Sequence, residues 1–231
     1  MENNQRIEFH SHTVFSDGEL IPSELIRRAV VSGHRALAIT DHADASNIDE
    51  LVARLVRLRQ EQRASLGLQL LVGVELTHVG PADIAKLARR ARMLGADIVL
   101  VHGETIVEPV APGTNAAAIA SPDVDVLAHP GMLTLQEAED AAARGCIIEI
   151  SSRRGHGMAN GHVARICERA GTLMVVNTDT HAPGDLIDMT SAQLIARAAG
   201  LGEDQVMAAT VTTPAVLLER ILARQARRQR A

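Results

Sequence analysis

The stretch RIEFHSHTVFSDG, residues 6–18, runs from a β-rich segment into two histidines one residue apart and, five residues later, an aspartate. On an extended chain residues i and i+2 point to the same side, whereas on a helix they do not, so His10 and His12 act together only if the strand carries through them. Taken alone, the segment leaves open whether His10, His12 and Asp17 are ordinary polar residues or the first members of a metal site. The answer depends on what stands at the ends of the other strands.

Six further β-rich runs follow: ALAIT (36–40), LQLLVGVEL (68–76), DIVLV (97–101), VDVLA (124–128), CIIEI (146–150) and TLMVVN (172–177). Several are nearly continuous apolar runs, as expected of parallel strands covered by helices. Helix punctuation lies between them. Pro22 and Gly33 bracket a segment with Leu25, Ile26, Ala29 and Val30 on one face, Asn47 and Glu50 form a cap-like pair before Ile48, Leu51, Val52 and Leu55, and Pro81 and Gly95 bracket a third helix. Thr134 with Glu137 is a capping box for a helix ending at Arg144 and Gly145, and Gly171 ends another. Seven strand-helix alternations without a low-complexity linker predict one α/β domain over residues 1–231, with a wholly helical segment from about 187 to 231. Pro214 is expected to open the last helix, with Val216, Leu217 and Ile221 as its apolar stripe, and the terminal RQARRQRA to be a solvated, frayed end.

Composition narrows the function classes. Of 231 residues 46% are hydrophobic and 22% charged, ordinary for a soluble domain. A net charge of −5 argues against binding nucleic acid by bulk electrostatics, and two phenylalanines with no tryptophan or tyrosine leave few platforms for stacking bases. Cys146 and Cys167 lack metal-ligand spacing and read as buried thiols in a reducing compartment. The opening MENNQRIEFHSH has no basic stretch leading into an apolar one, and no uninterrupted apolar run approaches the ~20 residues of a membrane span, so the expected location is the cytoplasm, without a membrane partner. Nothing in the pattern sets an oligomeric state.

Almost every strand delivers a potential ligand at its carboxyl end. RIEF leads to His10 and His12, ALAIT to Asp41 and His42, LLVGV to Glu75, DIVLV to His102, VDVLA to His129, and TLMVVN to Asp179 and His181. In parallel α/β folds these ends share one face, so residues scattered over the whole chain converge there. Imidazole and carboxylate together suit zinc, manganese or iron, and the lack of cysteine donors argues against a closed structural zinc site. Singly each signal is weak, since His129 before Pro130 and Gly131 fits a turn and Asp179 fits a helix cap. Their joint occurrence at five or more strand ends is what carries weight.

HSHTVFSDG, AITDH, GVE, LAHPG and NTDTH, in this order, resemble the motifs of the PHP superfamily, named for polymerase and histidinol phosphatase, over almost the whole chain. The layout is most similar to the small single-domain members and to the PHP domain attached to bacterial X-family polymerases. The resemblance implies a distorted seven-stranded (β/α)7 barrel of PHP type holding three divalent metal ions. Carried over, His10, His12, Glu75 and Asp179 hold the first, Glu75 bridges to a second completed by His102 and His129, and Asp17, His42 and His181 hold the third. The chain departs from the pattern at VHGE, where many relatives carry a second histidine, and at NTDTH, where serine-aspartate-alanine-histidine is common; neither change removes a ligand.

Six neutral imidazoles and three carboxylates supply −3 and three divalent ions +6, and the surplus of three favours an anion such as a phosphate ester. The implied chemistry is a phosphatase reaction with a hydroxide bridging the first two metals as nucleophile, Glu75 and Asp179 serving the catalytic centre. SSRRGHG follows the sixth strand on the same face, so Arg153 or Arg154 is a candidate phosphate clamp and His156 a candidate substrate contact or leaving-group acid. His78 is read as lining the pocket, His34 and His162 as helix-end surface residues, Asp41 as orienting His42, and Glu149 as facing inward to pair with an arginine. The leading reading is a phosphatase of small phosphomonoesters such as histidinol phosphate or a nucleotide. An exonuclease or nucleotide phosphodiesterase acting on nucleic acid ends is the alternative, disfavoured by charge and composition. A non-catalytic, metal-stabilised module that binds a partner is the third; it predicts missing ligands, and none is missing.

Overall fold

All seven runs become parallel strands of one sheet in the computed structural model, which describes residues 5–62 and 65–230. In chain order the elements are β1 (Arg6–Glu8), α1 (Pro22–Val31), β2 (His34–Ile39), β3 (His42–Ala43), α2 (Ile48–Gln62), β4 (Gln69–Leu76), α3 (Pro81–Leu94), β5 (Ile98–His102), α4 (Thr114–Ala120), β6 (Val126–Ala128), α5 (Leu135–Arg144), β7 (Ile147–Ser151), α6 (Asn160–Ala170), β8 (Met174–Asn177), α7 (Met189–Ala198), α8 (Glu203–Met207) and α9 (Thr213–Arg230). The strand order is β1-β2-β4-β5-β6-β7-β8, and the two residues of β3 continue the pairing of β2 along β4. The strands form a nearly closed barrel, the (β/α)7 architecture expected.

The distortion lies at the seam between β8 and β1. No ladder pairs these two strands. They meet just beyond their ends through a bridge between Ser11 and Thr180, with the His12 amide donating to the Thr180 carbonyl at 2.8 Å, and through Arg6 Nη2 donating to the Val176 carbonyl at 3.1 Å.

Side-chain alternation sorts residues between two cores. Leu37, Ile39, Leu70, Val72, Val74, Ile148 and Ile150 point outward under the helices, while Ala36, Ala38, Leu71, Ile98, Leu100, Val126, Ile147 and Val175 fill the barrel. In β4 the inward series reads Leu71, Gly73, Glu75. A Cβ on Gly73 would come within 2.6 Å of a Thr40 methyl and 2.7 Å of an Ile98 methyl, so only glycine lets the strand lie close enough to bring Glu75 to the barrel mouth. The Thr134 and Glu137 capping box is present. Asn47 instead donates to the His42 carbonyl and accepts from the Asp44 amide, tightening the turn after His42 in place of capping α2.

The carboxyl-terminal helix departs most from expectation. Pro214 does not open it: α8 runs on through a π-helical stretch, Ala208–Thr212, into α9. The wider turn accommodates a proline that lacks an N–H and crowds the carbonyl four residues back. Val216 is exposed, and the buried stripe is Leu217, Leu218 and Ile221, which enters the inner core and closes the barrel floor at the first residues of β5, β6 and β7. By length and composition the helix Glu203–Arg228 would also suffice to cross a membrane; here its apolar stripe is buried in the barrel. Nor is the arginine-rich end simply frayed. Arg224 Nη2 donates to Asp125 Oδ1 at 2.8 Å, Arg228 Nη2 to Asp97 Oδ1 at 2.6 Å and Arg220 Nη1 to the Gly145 carbonyl at 3.1 Å, with Arg59 and Arg92 completing the pairs on buried Asp97 and Asp125. Arg227 and Arg230 stay exposed.

Candidate metal centre

The nine residues at the strand ends meet at one mouth of the barrel. Glu75 Oε1 lies 3.3 Å from His10 Nε2 and 3.5 Å from His129 Nε2, and Glu75 Oε2 lies 3.6 Å from His12 Nε2. Asp179 Oδ1 is 3.4 Å from His10 Nε2 and 3.1 Å from His12 Nε2. Asp17 Oδ1 faces His181 Nε2 at 3.1 Å and His42 Nε2 at 3.4 Å, and His102 stands edge-on to His129 with 4.4 Å between ring centroids.

Most of these imidazoles are held by Nδ1 and offer Nε2. His10 Nδ1 donates to Glu149 at 2.8 Å, His42 Nδ1 is hydrogen-bonded to Thr77 Oγ1 at 2.6 Å with Glu75 Oε2 2.8 Å away, His102 Nδ1 donates to the Gly103 carbonyl at 3.1 Å and His181 Nδ1 to the Asp179 carbonyl at 2.9 Å. Fixing one ring nitrogen sets the tautomer and orientation of the other, a familiar arrangement behind metal-binding histidines.

What remains after this pairing tests whether metal ions fit. Among the described residues, His10 Nε2, His12 Nε2, both nitrogens of His129, Glu75 Oε1, Glu149 Oε1 and Asp179 Oδ1 are buried without a hydrogen-bond partner. Buried polar atoms rarely go unpaired, and here such atoms crowd together at nitrogen-oxygen distances of 3.1 to 3.6 Å without forming hydrogen bonds. Four groups of donors lie within 4.8 Å of one another: His12, Asp17, His42 and His181; His102, His129 and His156; His10, His12 and Asp179; His10, His129 and Glu149. Backbone strain marks the same place, since His129 (φ 27°), directly after β6, and Asp179 (φ 51°), two residues after β8, sit at positive φ.

Charge repeats the pattern. Burial pushes the Glu75 carboxyl up, but His10 and His42 outweigh it and hold the group well below the usual carboxylate range. Burial lowers His42, yet Glu75 and Asp17 raise it to about 10; His10 is likewise raised, against its burial, by Glu149, Glu75 and Asp179. The carboxylates thus draw protons onto these rings, and a cation taken up here has to displace them.

Other expectations fall out differently. Arg153 reaches the cluster, its Nη1 donating to the Asp179 carbonyl at 3.2 Å and its Nε 3.4 Å from Asp179 Oδ2, while Arg154 is exposed and makes no hydrogen bond or ion pair among the described residues. Asp41 does not orient His42. It accepts from the Thr13 amide (2.6 Å), Thr13 Oγ1 (2.8 Å) and Ser16 Oγ (2.7 Å), so it anchors the loop that presents Asp17. Glu149 faces inward as expected but pairs with His10 and Asn177 instead of an arginine; the buried Arg6 is held by Glu8. His34 is buried at the start of β2, and His162 is half-buried, donating to the Leu133 carbonyl at 2.8 Å. His78 stands on the rim, 5.3 Å from the His102 ring.

Glu108 carries no signal in the sequence, because it follows β5 in an irregular loop without periodicity. Its carboxylate nonetheless spans His102 Nε2 (3.1 Å), His156 Nε2 (3.5 Å) and His78 Nε2 (3.3 Å).

Among known proteins, the PHP domain model matches residues 8–174. An uncharacterized protein of Methanocaldococcus jannaschii is 50% identical over 217 residues, covering 94% of this chain and 100% of that protein. A solved structure of histidinol phosphate phosphatase from Lactococcus lactis, complexed with zinc, L-histidinol and phosphate, is similar with a TM-score of 0.59 at 15% identity, over 86% of this chain and 95% of that one. A chain in the structure of archaeal ribonuclease P with mature tRNA is similar with a TM-score of 0.69 at 13% identity, over 97% and 94%. At such identities the two structures share the fold with this chain.

Proposed function

The chain belongs to the PHP domain family, and from that premise we propose that it is a metal-dependent hydrolase releasing phosphate from small phosphomonoesters. The observation that carries the reading is the convergence of unpaired, buried imidazole and carboxylate atoms at the barrel mouth. His10, His12, Glu75 and Asp179 would hold a first ion, Glu75, His102 and His129 a second, and Asp17, His42 and His181 a third; their nitrogen and oxygen donors suit zinc, manganese or iron. Divalent ions bound there make water nucleophilic at neutral pH and neutralise phosphoryl oxygens. Arg153, already beside Asp179, would orient the phosphate group in bidentate fashion, with Arg154 at the rim.

The surroundings favour a small substrate over a nucleic acid. The loops leaving the carboxyl ends of the strands contain Arg153 and Arg154 as their only arginine or lysine residues, against Asp17, Glu19, Asp41, Asp44, Glu104, Glu108, Asp179, Asp185 and Asp188. A face of that composition offers one local anion site and no basic track for a polyanionic strand.

The test is metal analysis of the purified protein followed by phosphate release from sugar, amino-alcohol and nucleotide phosphates, with and without a chelator, beside a labelled single strand. Chelator-sensitive release from small monoesters is expected. Salt-sensitive release of mononucleotides from the strand with no turnover of small phosphates would replace this reading with the nucleic acid one.

A further inference from the structure

The ligand set implied by the family resemblance leaves out one buried imidazole of the cluster, His156. After β7 the chain turns at Gly155 (φ 93°) into the short 3-10 segment His156–Ala159, which carries the ring into the mouth, where it is 6% exposed. Its Nδ1 is hydrogen-bonded to Thr105 Oγ1 at 2.8 Å, so Nε2 is the atom presented to the cluster. The ring stacks on His129 with centroids 4.0 Å apart and planes 12° from parallel, and lies edge-on to His102 at 5.7 Å. One nitrogen from each of His102, His129 and His156 falls within 4.8 Å of the other two, and His156 Nε2 is 3.8 Å from Asp179 Oδ2.

This is the setting of a ligand. A leaving-group acid needs its proton-bearing nitrogen free to face the departing oxygen, whereas this nitrogen faces two imidazoles and two carboxylates, and the ring is anchored from behind as metal-binding histidines are. Resting on the reading that the mouth holds divalent ions, we propose that His156 ligates the same ion as His102 and His129, so that this position is a three-imidazole site joined by Glu75, and that His156 is not the proton donor. Four such donors satisfy a tetrahedral ion without help from the exposed Glu108.

The experiment compares wild type, H156Q and T105V by competition with a chromogenic chelator for zinc and by the visible spectrum of the cobalt-loaded protein, all without substrate. H156Q is expected to weaken one ion of the set at least tenfold and to change the cobalt bands, with melting in EDTA unchanged. T105V keeps the imidazole and removes its anchor, so the same ion should weaken by a smaller factor; this variant carries the comparison if H156Q does not fold. Wild-type affinity and spectrum in both variants, with the activity loss of H156Q repaired on an ester whose leaving group needs no proton, would overturn the assignment and make His156 the acid. A wild-type protein that binds ions but cleaves no phosphoester would instead remove the phosphatase reading and leave this comparison intact.

Discussion

His10 Nδ1 and Glu149 Oε2 lie 2.8 Å apart across the seam where the barrel closes, both side chains fully buried. Glu149 also accepts from Asn177 Nδ2 at 2.9 Å, so one carboxylate ties β7, β8 and the end of β1 together while it fixes the tautomer of His10.

Removing that carboxylate therefore acts through His10 and not by deleting a member of the implied ligand set. Glu149→Gln keeps the shape but substitutes an amide for the charge that favours a donating Nδ1. Metal affinity should fall about 10- to 100-fold, the range for lost outer partners of metal-bound histidines. Chelator competition measures it, and unchanged affinity in a folded variant would count against any role for Glu149 in holding His10.

Ion uptake should also be visible as stability. The unpaired atoms of His10, His12, His129, Glu75 and Asp179 would gain partners on binding a cation. At a free ion concentration ~100 times the dissociation constant, a single site adds about 2.7 kcal/mol. In a protein of this size that is a rise in melting temperature of roughly 5–10 °C. Calorimetry with zinc and with EDTA checks it; identical melting curves would mean that the cluster holds no ion.

The sequence reveals the strand-end residues more clearly than their supports, for a physical reason. His10, His12, Glu75, His102 and His129 are legible because strand alternation is local, and parallel order puts all carboxyl ends on one face. The supports are set by folding together of segments far apart in the chain. Glu149 finds His10 at a separation of 139 residues and Asp41 finds Thr13 at 28, so a pairing with arginine or with the adjacent His42 looks as natural on paper. Likewise, the apolar residues of α9 signal a helix, but only the barrel floor decides that Leu217, Leu218 and Ile221 are buried while Val216 is not.

Asp41 gives a test of how the Asp17 loop is held. Its carboxylate accepts three hydrogen bonds from Thr13 and Ser16 while wholly buried. Hydrogen bonds to a charged group contribute about 1.5–3 kcal/mol, and Asp41→Ala leaves three donors unmet. The variant should lose about 2–4 kcal/mol of stability in urea unfolding and lose affinity chiefly for the ion that Asp17, His42 and His181 would hold. Full stability in this variant would show that the loop is held elsewhere.

His34 makes an acid-sensitive contribution apart from the metal cluster. Burial and then the Arg6 charge lower it to about 4, from 6.5 in the unfolded chain. A depressed folded-state value means that the stabilising neutral form is fully present above pH 6.5 and is lost as pH falls toward 4. The whole contribution is about 3 kcal/mol. Urea unfolding in EDTA should therefore show a smaller drop in stability between pH 7.5 and 4.5 for His34→Gln than for wild type. Equal drops would mean that His34 does not titrate differently on folding.

The barrel has a packed floor and a mouth that carries the candidate metal site, and the two should separate under mutation. Leu217 is fully buried in the inner core with Ile98, Val126 and Ile147, the first residues of β5, β6 and β7, whereas His102 ends β5, His129 directly follows β6 and Glu149 lies midway along β7. Leu217→Ala leaves a cavity in the floor and should cost about 2–5 kcal/mol. Below its lowered unfolding temperature, the variant should bind zinc within about a factor of two of wild type, because sites without shared partners are nearly additive. A large loss of affinity at full folding would show instead that the helix plug sets the spacing of the strands at the mouth.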